Sequence, residues 1–186
     1  MPDVALIGNK NFLFEKLFEE AGVGFQFINP EVLGSPFMPK FKLLIVPTGF
    51  ANTQYSKALP ALRRSKSAIA SFVLAGGVLL VYGPLVLLHD FDWLPLALQY
   101  NGEYSEAEDV SATDHQFSCL CSGSADCDGY LVAGEEFETV MTDSRGRSIM
   151  VVGRLGEGLI VATTIHEFPT REFICLAAKL AKPAKI

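Results

Sequence analysis

The chain has no membrane-length apolar run, no extended basic stretch and no phosphate-cradling glycine motif. Its longest apolar run, Val78 to Leu88, is about half of the ~20 residues needed to span a bilayer, and Gly83-Pro84 interrupts it. A membrane partner is therefore not expected. The densest basic cluster is Arg63, Arg64 and Lys66, on a predicted helix, in a protein of formal net charge −6. Nucleic acid, which needs a basic face, is not expected either. The N-terminal MPDVALIGNKN lacks a basic leader region, so no signal peptide is read and the expected setting is cytoplasmic and reducing. The four cysteines are then expected as thiols or metal ligands before disulfides.

What is present is apolar and punctuated by glycine. Of 186 residues, 49% are hydrophobic and only 19% charged, which suggests a sheet covered on both faces. The length fits one domain spanning residues 1–186, enough to bury about 70% of the unfolded chain's surface. Val4 to Ile7, Val23 to Ile28, Lys42 to Val46 and Val78 to Tyr82 read as short buried strands. Between them lie a helix after Asn11, with Phe14, Leu17 and Phe18 inward, and a long helix over about Gln54 to Leu74, with Pro60 in an early turn or at a break, ended by Gly76-Gly77. Such alternation implies right-handed crossovers and a parallel, doubly wound α/β layer.

From Phe137 onward the pattern changes to hairpins. Phe137 to Thr142, Ser148 to Leu155 and Leu159 to Thr164 are separated by Asp143-Ser144-Arg145-Gly146-Arg147 and Gly156-Glu157-Gly158. A terminal helix opened by Pro169 carries Phe173, Ile174, Leu176, Ala177 and Leu180. Trp93, Leu94 and Leu96 read as a short helix, and residues 101–127 as the most polar, least regular stretch. The expected fold class is α/β, a doubly wound three-layer sheet with a parallel core and antiparallel hairpins in the C-terminal half.

KLLIVPTGF, GGVLLVYGP and LGEGLIVATTIHEFP, taken together, resemble the class I glutamine amidotransferase-like superfamily, of flavodoxin-like fold. The divergent trehalose-utilisation-type proteins and the amidotransferase-like domain of some β-galactosidases are similar in flavour, and TDHQF, residues 113–117, resembles an Asp-His segment seen there. The resemblance implies an oxyanion-hole loop at Thr48-Gly49, a nucleophile elbow at Tyr82-Gly83 and a histidine, His166, before the last helix. The departures are specific. The superfamily's elbow reads Gly-x-Cys-x-Gly, where glycines permit the strained turn. Here it reads Leu80-Val81-Tyr82-Gly83-Pro84. A phenol with an ordinary pKa of about 10 is a poor acyl nucleophile at neutral pH. The superfamily's His-x-Glu is also changed, to adjacent His166-Glu167. Glutamine hydrolysis by that route is not expected.

The candidate site residues follow. His166 and Glu167 are the candidate proton-transfer pair, at a strand's carboxyl end where open α/β sheets bind ligands. The plain alternative is that they cap the helix or face solvent. Gly8, Asn9, Thr48, Gly49, Tyr82 and Gly83 are the candidate ligand-binding set. Tyr82 reads equally as a core tyrosine, and Gly8-Asn9-Lys10-Asn11 as a turn and helix cap. His115, Cys119, Cys121 and Cys127 are a candidate metal set, with zinc as the ion, although their spacing is not a standard zinc pattern. In a strand, Cys119 and Cys121 would share a face; the alternative is cysteines acting as small apolar residues. Cys175 reads as a buried inert thiol. His89, with Asp90, Asp92 and Trp93, is a further candidate pocket wall. Three functions stay open: a non-catalytic module binding a small molecule or protein, a hydrolase or isomerase using His166 and Glu167, and a metal-binding protein. A homo-oligomer is compatible with the apolar composition.

Overall fold

A computed structural model describes residues 2–166 and 168–186. Its sheet is continuous and mixed, in the order β2-β1-β3-β4-β11-β10-β8-β6-β5, with β9 paired to β10 and β7 to β9. The parallel part is β1 (Val4–Ile7), β2 (Phe25–Ile28), β3 (Leu43–Val46), β4 (Val78–Val81) and β11 (Gly158–Thr163). The rest is antiparallel: β5 (Leu88–Asp90), β6 (Leu98–Asp109), β7 (Ser111–Ala112), β8 (Ser124–Ala133), β9 (Phe137–Thr142) and β10 (Ser148–Leu155).

Period-two alternation sorts the apolar strands onto two cores. Val4, Leu6, Leu43, Ile45, Val78, Leu80 and Tyr82 pack with Phe14 and Phe18 of α1 (Phe12–Ala21) and with Phe173, Ile174 and Ala177 of α4 (Arg171–Leu180). Ala5, Ile7, Leu44, Val46, Leu79 and Val81 pack with Leu62 of α2 (Ala58–Arg64) and Ile69, Phe72 and Val73 of α3 (Lys66–Leu74). Each buried Phe of α1 is worth about 1.5–3 kcal/mol of transfer free energy. Among the described residues, no helix is long and apolar enough to cross a membrane.

Local signals set the ends of α1. Asn11 Oδ1 accepts from the Leu13 and Phe14 amides at 3.0 and 3.4 Å. Gly22, at φ +68°, closes the helix by donating its N–H to Glu19 and Phe18 carbonyls. At α4, Thr170 Oγ1 accepts from the Phe173 amide at 3.1 Å.

Four readings of the sequence change. The long helix is two, broken at Ser65, whose buried hydroxyl donates to the Leu33 carbonyl at 2.9 Å. Periodicity cannot see a kink anchored by a distant loop. Residues 101–127 are largely regular: β6 runs to Asp109, pairs with β8 and absorbs two register shifts. Beyond Tyr100 its residues are exposed or half-exposed on both sides, so it lacks the alternation of a strand with one buried face. Trp93 to Leu96 form turns after β5 and not a helix, although Trp93 is buried. Cys175 is exposed on α4, its thiol directed at the Ala21 carbonyl.

Candidate functional site

The parallel strands end in step. Val46, Val81 and Ala162 lie in one row across β3, β4 and β11, so the residues that follow them emerge at one edge. Tyr82 continues β4, its amide donating to the Val46 carbonyl at 3.0 Å, and its side chain is 1% exposed. The Gly49 amide donates to the Gly83 carbonyl at 2.8 Å and ties the loop after β3 to the bend after β4. Gly49 sits at φ +80°, where a side chain would be strained. In the Gly-Pro bend, Leu85 itself takes φ +54°, and Asn52 Nδ2 holds its carbonyl at 2.9 Å.

A cleft of about 190 Å³ opens at this edge, on the α1 and α4 face. Its walls include Asn11, Phe14, Thr48, Tyr82, His166 and Phe168. The floor and sides are mostly apolar; the His166 imidazole and the Thr48 and Asn11 side chains supply polarity.

His166 is oriented by a residue the sequence reading missed. β8 extends beyond the end of β10 and pairs with the segment after β11: the Asp128 amide donates to the Thr164 carbonyl, and the His166 amide to the Asp126 carbonyl, both at 2.8 Å. Cys127 bridges Ile165 between them. Asp128 and His166 thereby become diagonal neighbours on one side of a short antiparallel ladder. Their side chains meet with Nδ1 2.9 Å from Oδ1 and 3.1 Å from Oδ2. The Asp128 side chain is 2% exposed and that of His166 is 52% exposed. The carboxylate therefore lies in the protein interior while the ring reaches the cleft. With the carboxylate at Nδ1, the second ring nitrogen is the one left to serve a ligand.

The Asp128 backbone is also held in place. Tyr100 donates its hydroxyl to the Asp128 carbonyl at 2.6 Å. Burial, and then the adjacent Asp128 charge, push the Tyr100 phenol well above its ordinary value of 10, so it stays a donor. A Cβ at Gly83 would come within 3.4 Å of Asp128 Oδ2. Gly83 packs against the carboxylate and does not line the cleft. Among short signals, Cys127-Asp128-Gly129 looks like a turn. Only the fold makes it the middle of a strand.

The other candidates separate. Glu167 lies outside the described residues. Gly8 and Asn9 line a different groove, on the α2 side of the sheet. His115, Cys119, Cys121 and Cys127 do not gather: among the described residues no three His, Cys, Asp or Glu side chains form a metal-ligating group. His115 Nδ1 accepts from the Phe117 amide at 3.1 Å and caps a 3-10 turn over Gln116–Leu120. In that turn Cys119 and Cys121 do not have the shared face that a strand would give them. Cys127 is buried in β8. Desolvation by burial raises the Cys119 thiol above its ordinary value. His89 packs edge-on between Phe50 and Phe91, away from the cleft.

No protein-family model matches the sequence. No curated protein sequence matches it either. Solved structures do match in fold. A β-galactosidase from Rahnella sp. R3 aligns with TM-score 0.64 at 15% identity, over 97% of this chain but 31% of that one. A glutamine amidotransferase from Thermotoga maritima aligns with TM-score 0.57 at 17% identity, over 88% of this chain and 74% of that one. A cytoplasmic protein from Salmonella typhimurium LT2 aligns with TM-score 0.59 at 13% identity, over 96% and 99%. At these identities the likeness is one of architecture: the chain shares the mixed α/β fold of these three structures.

Proposed function

We propose that the protein is a non-catalytic, amidotransferase-like module that binds a small metabolite in the cleft between Tyr82 and His166. The observation that carries this reading is the pair of residues at the cleft: a buried tyrosine at the end of β4, and a histidine held by a buried aspartate. The first supplies an apolar wall with no thiol or alkoxide nucleophile; the second supplies one oriented polar contact. At about 190 Å³ the cleft is smaller than the ~300–1,000 Å³ of drug-sized sites, so the ligand is a compound of few heavy atoms. Two separate cores, one on each face of the parallel strands, support the doubly wound, three-layer description of that half. Free thiols and the cytoplasmic label of the Salmonella neighbour favour a cytoplasmic setting. Exposed Phe37, Leu87 and Leu88 favour self-association.

One observation favours a second reading. A buried carboxylate on Nδ1 is also how a general base is oriented, and His166 could move a proton on a bound substrate, as a hydrolase or isomerase requires. The same experiment separates the two. Ligand-observed NMR against small carboxylates, amides and amino acids, with wild-type protein and His166→Ala, is followed by a search for product in each bound mixture. Saturable binding, weakened by His166→Ala, with no turnover supports the module. Turnover lost in His166→Ala supports the enzyme. Binding indifferent to His166 overturns both.

A further inference from the structure

We infer that the groove on the opposite face of the sheet edge is a second binding site, for a small anionic polyhydroxy compound of the sugar-phosphate class. The groove encloses about 560 Å³, within the range of small-molecule sites. It lies at the carboxyl ends of β1 and β2 and against the loop that follows β3. At this edge the chain leaves β1 toward β2 and leaves β3 toward β4, in opposite directions across the sheet. Crossovers diverging there open a crevice at the strand ends, the usual ligand position in open α/β sheets.

Its chemistry differs from that of the His166 cleft. Lys57 and Arg64 stand on its α2 side, with Glu31 the single carboxylate of the lining. Among the described residues neither cation is in an ion pair, whereas Arg63 next door is committed to Asp92 at 3.0 Å. Arg64 Nη2 instead spans toward the Glu31 backbone carbonyl at 3.5 Å. In a protein of net charge −6, Lys57 and Arg64 against the single Glu31 give this groove a local excess of positive charge, which favours an anion.

The remaining lining is hydrogen-bonding. Asn9, Asn29 and Gln54 bring carboxamides, which both donate and accept, as sugar hydroxyls demand. Asn29 is fixed in orientation because its Oδ1 accepts the Glu31 amide at 3.0 Å, which leaves its Nδ2 as donor. Tyr55, exposed at the lip, offers a ring face for the apolar side of a sugar. Cations for a phosphate, amides for hydroxyls and one aromatic lip fit a phosphorylated sugar better than a neutral sugar or a bare anion.

The test is isothermal titration of wild-type protein with glucose 6-phosphate, glucose and inorganic phosphate, at low and raised salt. The expected result is saturable binding of glucose 6-phosphate, at least about tenfold tighter than either glucose or phosphate, and weakened by salt. Lys57→Ala/Arg64→Ala, both surface changes, is expected to keep the melting temperature and lose at least about tenfold in affinity. Lys179→Ala, an exposed charge on α4, is expected to change nothing. Equal affinity for glucose, equal affinity for phosphate, full affinity in the double variant, or no saturation at millimolar concentration would each overturn the assignment. None of these outcomes depends on the His166 cleft.

Discussion

Nδ1 of His166 lies 2.9 Å from Oδ1 of Asp128, a contact across 38 residues of sequence between a half-exposed ring and a buried carboxylate. Asp128→Asn keeps the shape but replaces the charged acceptor. Hydrogen bonds to charged groups contribute about 1.5–3 kcal/mol against about 1 for neutral ones. The variant is expected to weaken ligand binding at the Tyr82 cleft by about tenfold, with a much smaller loss of stability. Parallel titration and urea denaturation check this; an equal loss in both would make the pair a purely structural contact.

A thiol placed at residue 82 is not expected to bring amidotransferase chemistry. Tyr82→Cys puts sulfur at the end of β4 but leaves Leu80 and Pro84 where a Gly-x-Cys-x-Gly elbow has glycine. Glutamate release from glutamine is expected to stay at background. Removing a fully buried ring is also expected to cost about 3–5 kcal/mol, as large-to-small core changes do. A coupled glutamate assay and a denaturant melt read the two effects separately.

His89 should impose a pH dependence on stability. Its pKa is lowered from 6.5, first by burial and then by the Arg63 charge. A histidine whose folded-state value is depressed contributes stability that is fully present above the unfolded value and lost as pH falls through the folded one. The melting temperature is therefore expected to fall on acidification below about pH 6.5. His89→Phe should flatten that fall while keeping the aromatic contacts with Phe50 and Phe91. Thermal melts of both proteins across this window check it.

Gly158 is fixed by close backbone approach. A Cβ there would lie 2.2 Å from the carbonyl oxygens of both Gly77 and Val73. Neither is a flexible side-chain end, so β11 would have to move away from β4 and α3. Gly158→Ala is expected to destabilise by about 3 kcal/mol, the upper end of ordinary overpacking. Chemical denaturation gives the value, and a loss under about 1 kcal/mol would contradict the packing described.

The thiols should react in order of exposure. Cys175 is exposed, Cys119 and Cys121 are partly covered, and Cys127 is buried. Native alkylation followed by mass spectrometry is expected to modify Cys175 first and Cys127 only on unfolding. A strong chelator is expected to leave the melting temperature unchanged, because the cysteines and His115 do not converge. A drop with chelator would return them to the status of a metal site.

Much of the first half was readable because its signals are local. Strands β1, β3 and β4 are apolar runs closed by Gly8, Pro47 and Gly83, and Asn11 caps α1 as its position implies. Hairpins β9–β10 and β10–β11 follow from their glycine turns. The break at Ser65 was not readable, since its cause is a carbonyl 32 residues away. Nor was β6, whose long polar run lacks the alternation that marks a strand.

The sequence by itself determined the α/β alternation, the hairpin half and the placement of Tyr82 and His166 at strand ends, because backbone periodicity and turn chemistry act over a few residues. Tertiary structure alone decided which side chains meet. It paired His166 with Asp128 because β8 runs past β10 to bridge Ile165, and it left the cysteines apart, with Cys119 in a 3-10 turn and Cys127 buried in β8. It also divided the expected ligand residues between two faces, Thr48 and Tyr82 at the His166 cleft and Gly8 and Asn9 on the α2 side, since loops that leave one sheet edge can turn to either side of it.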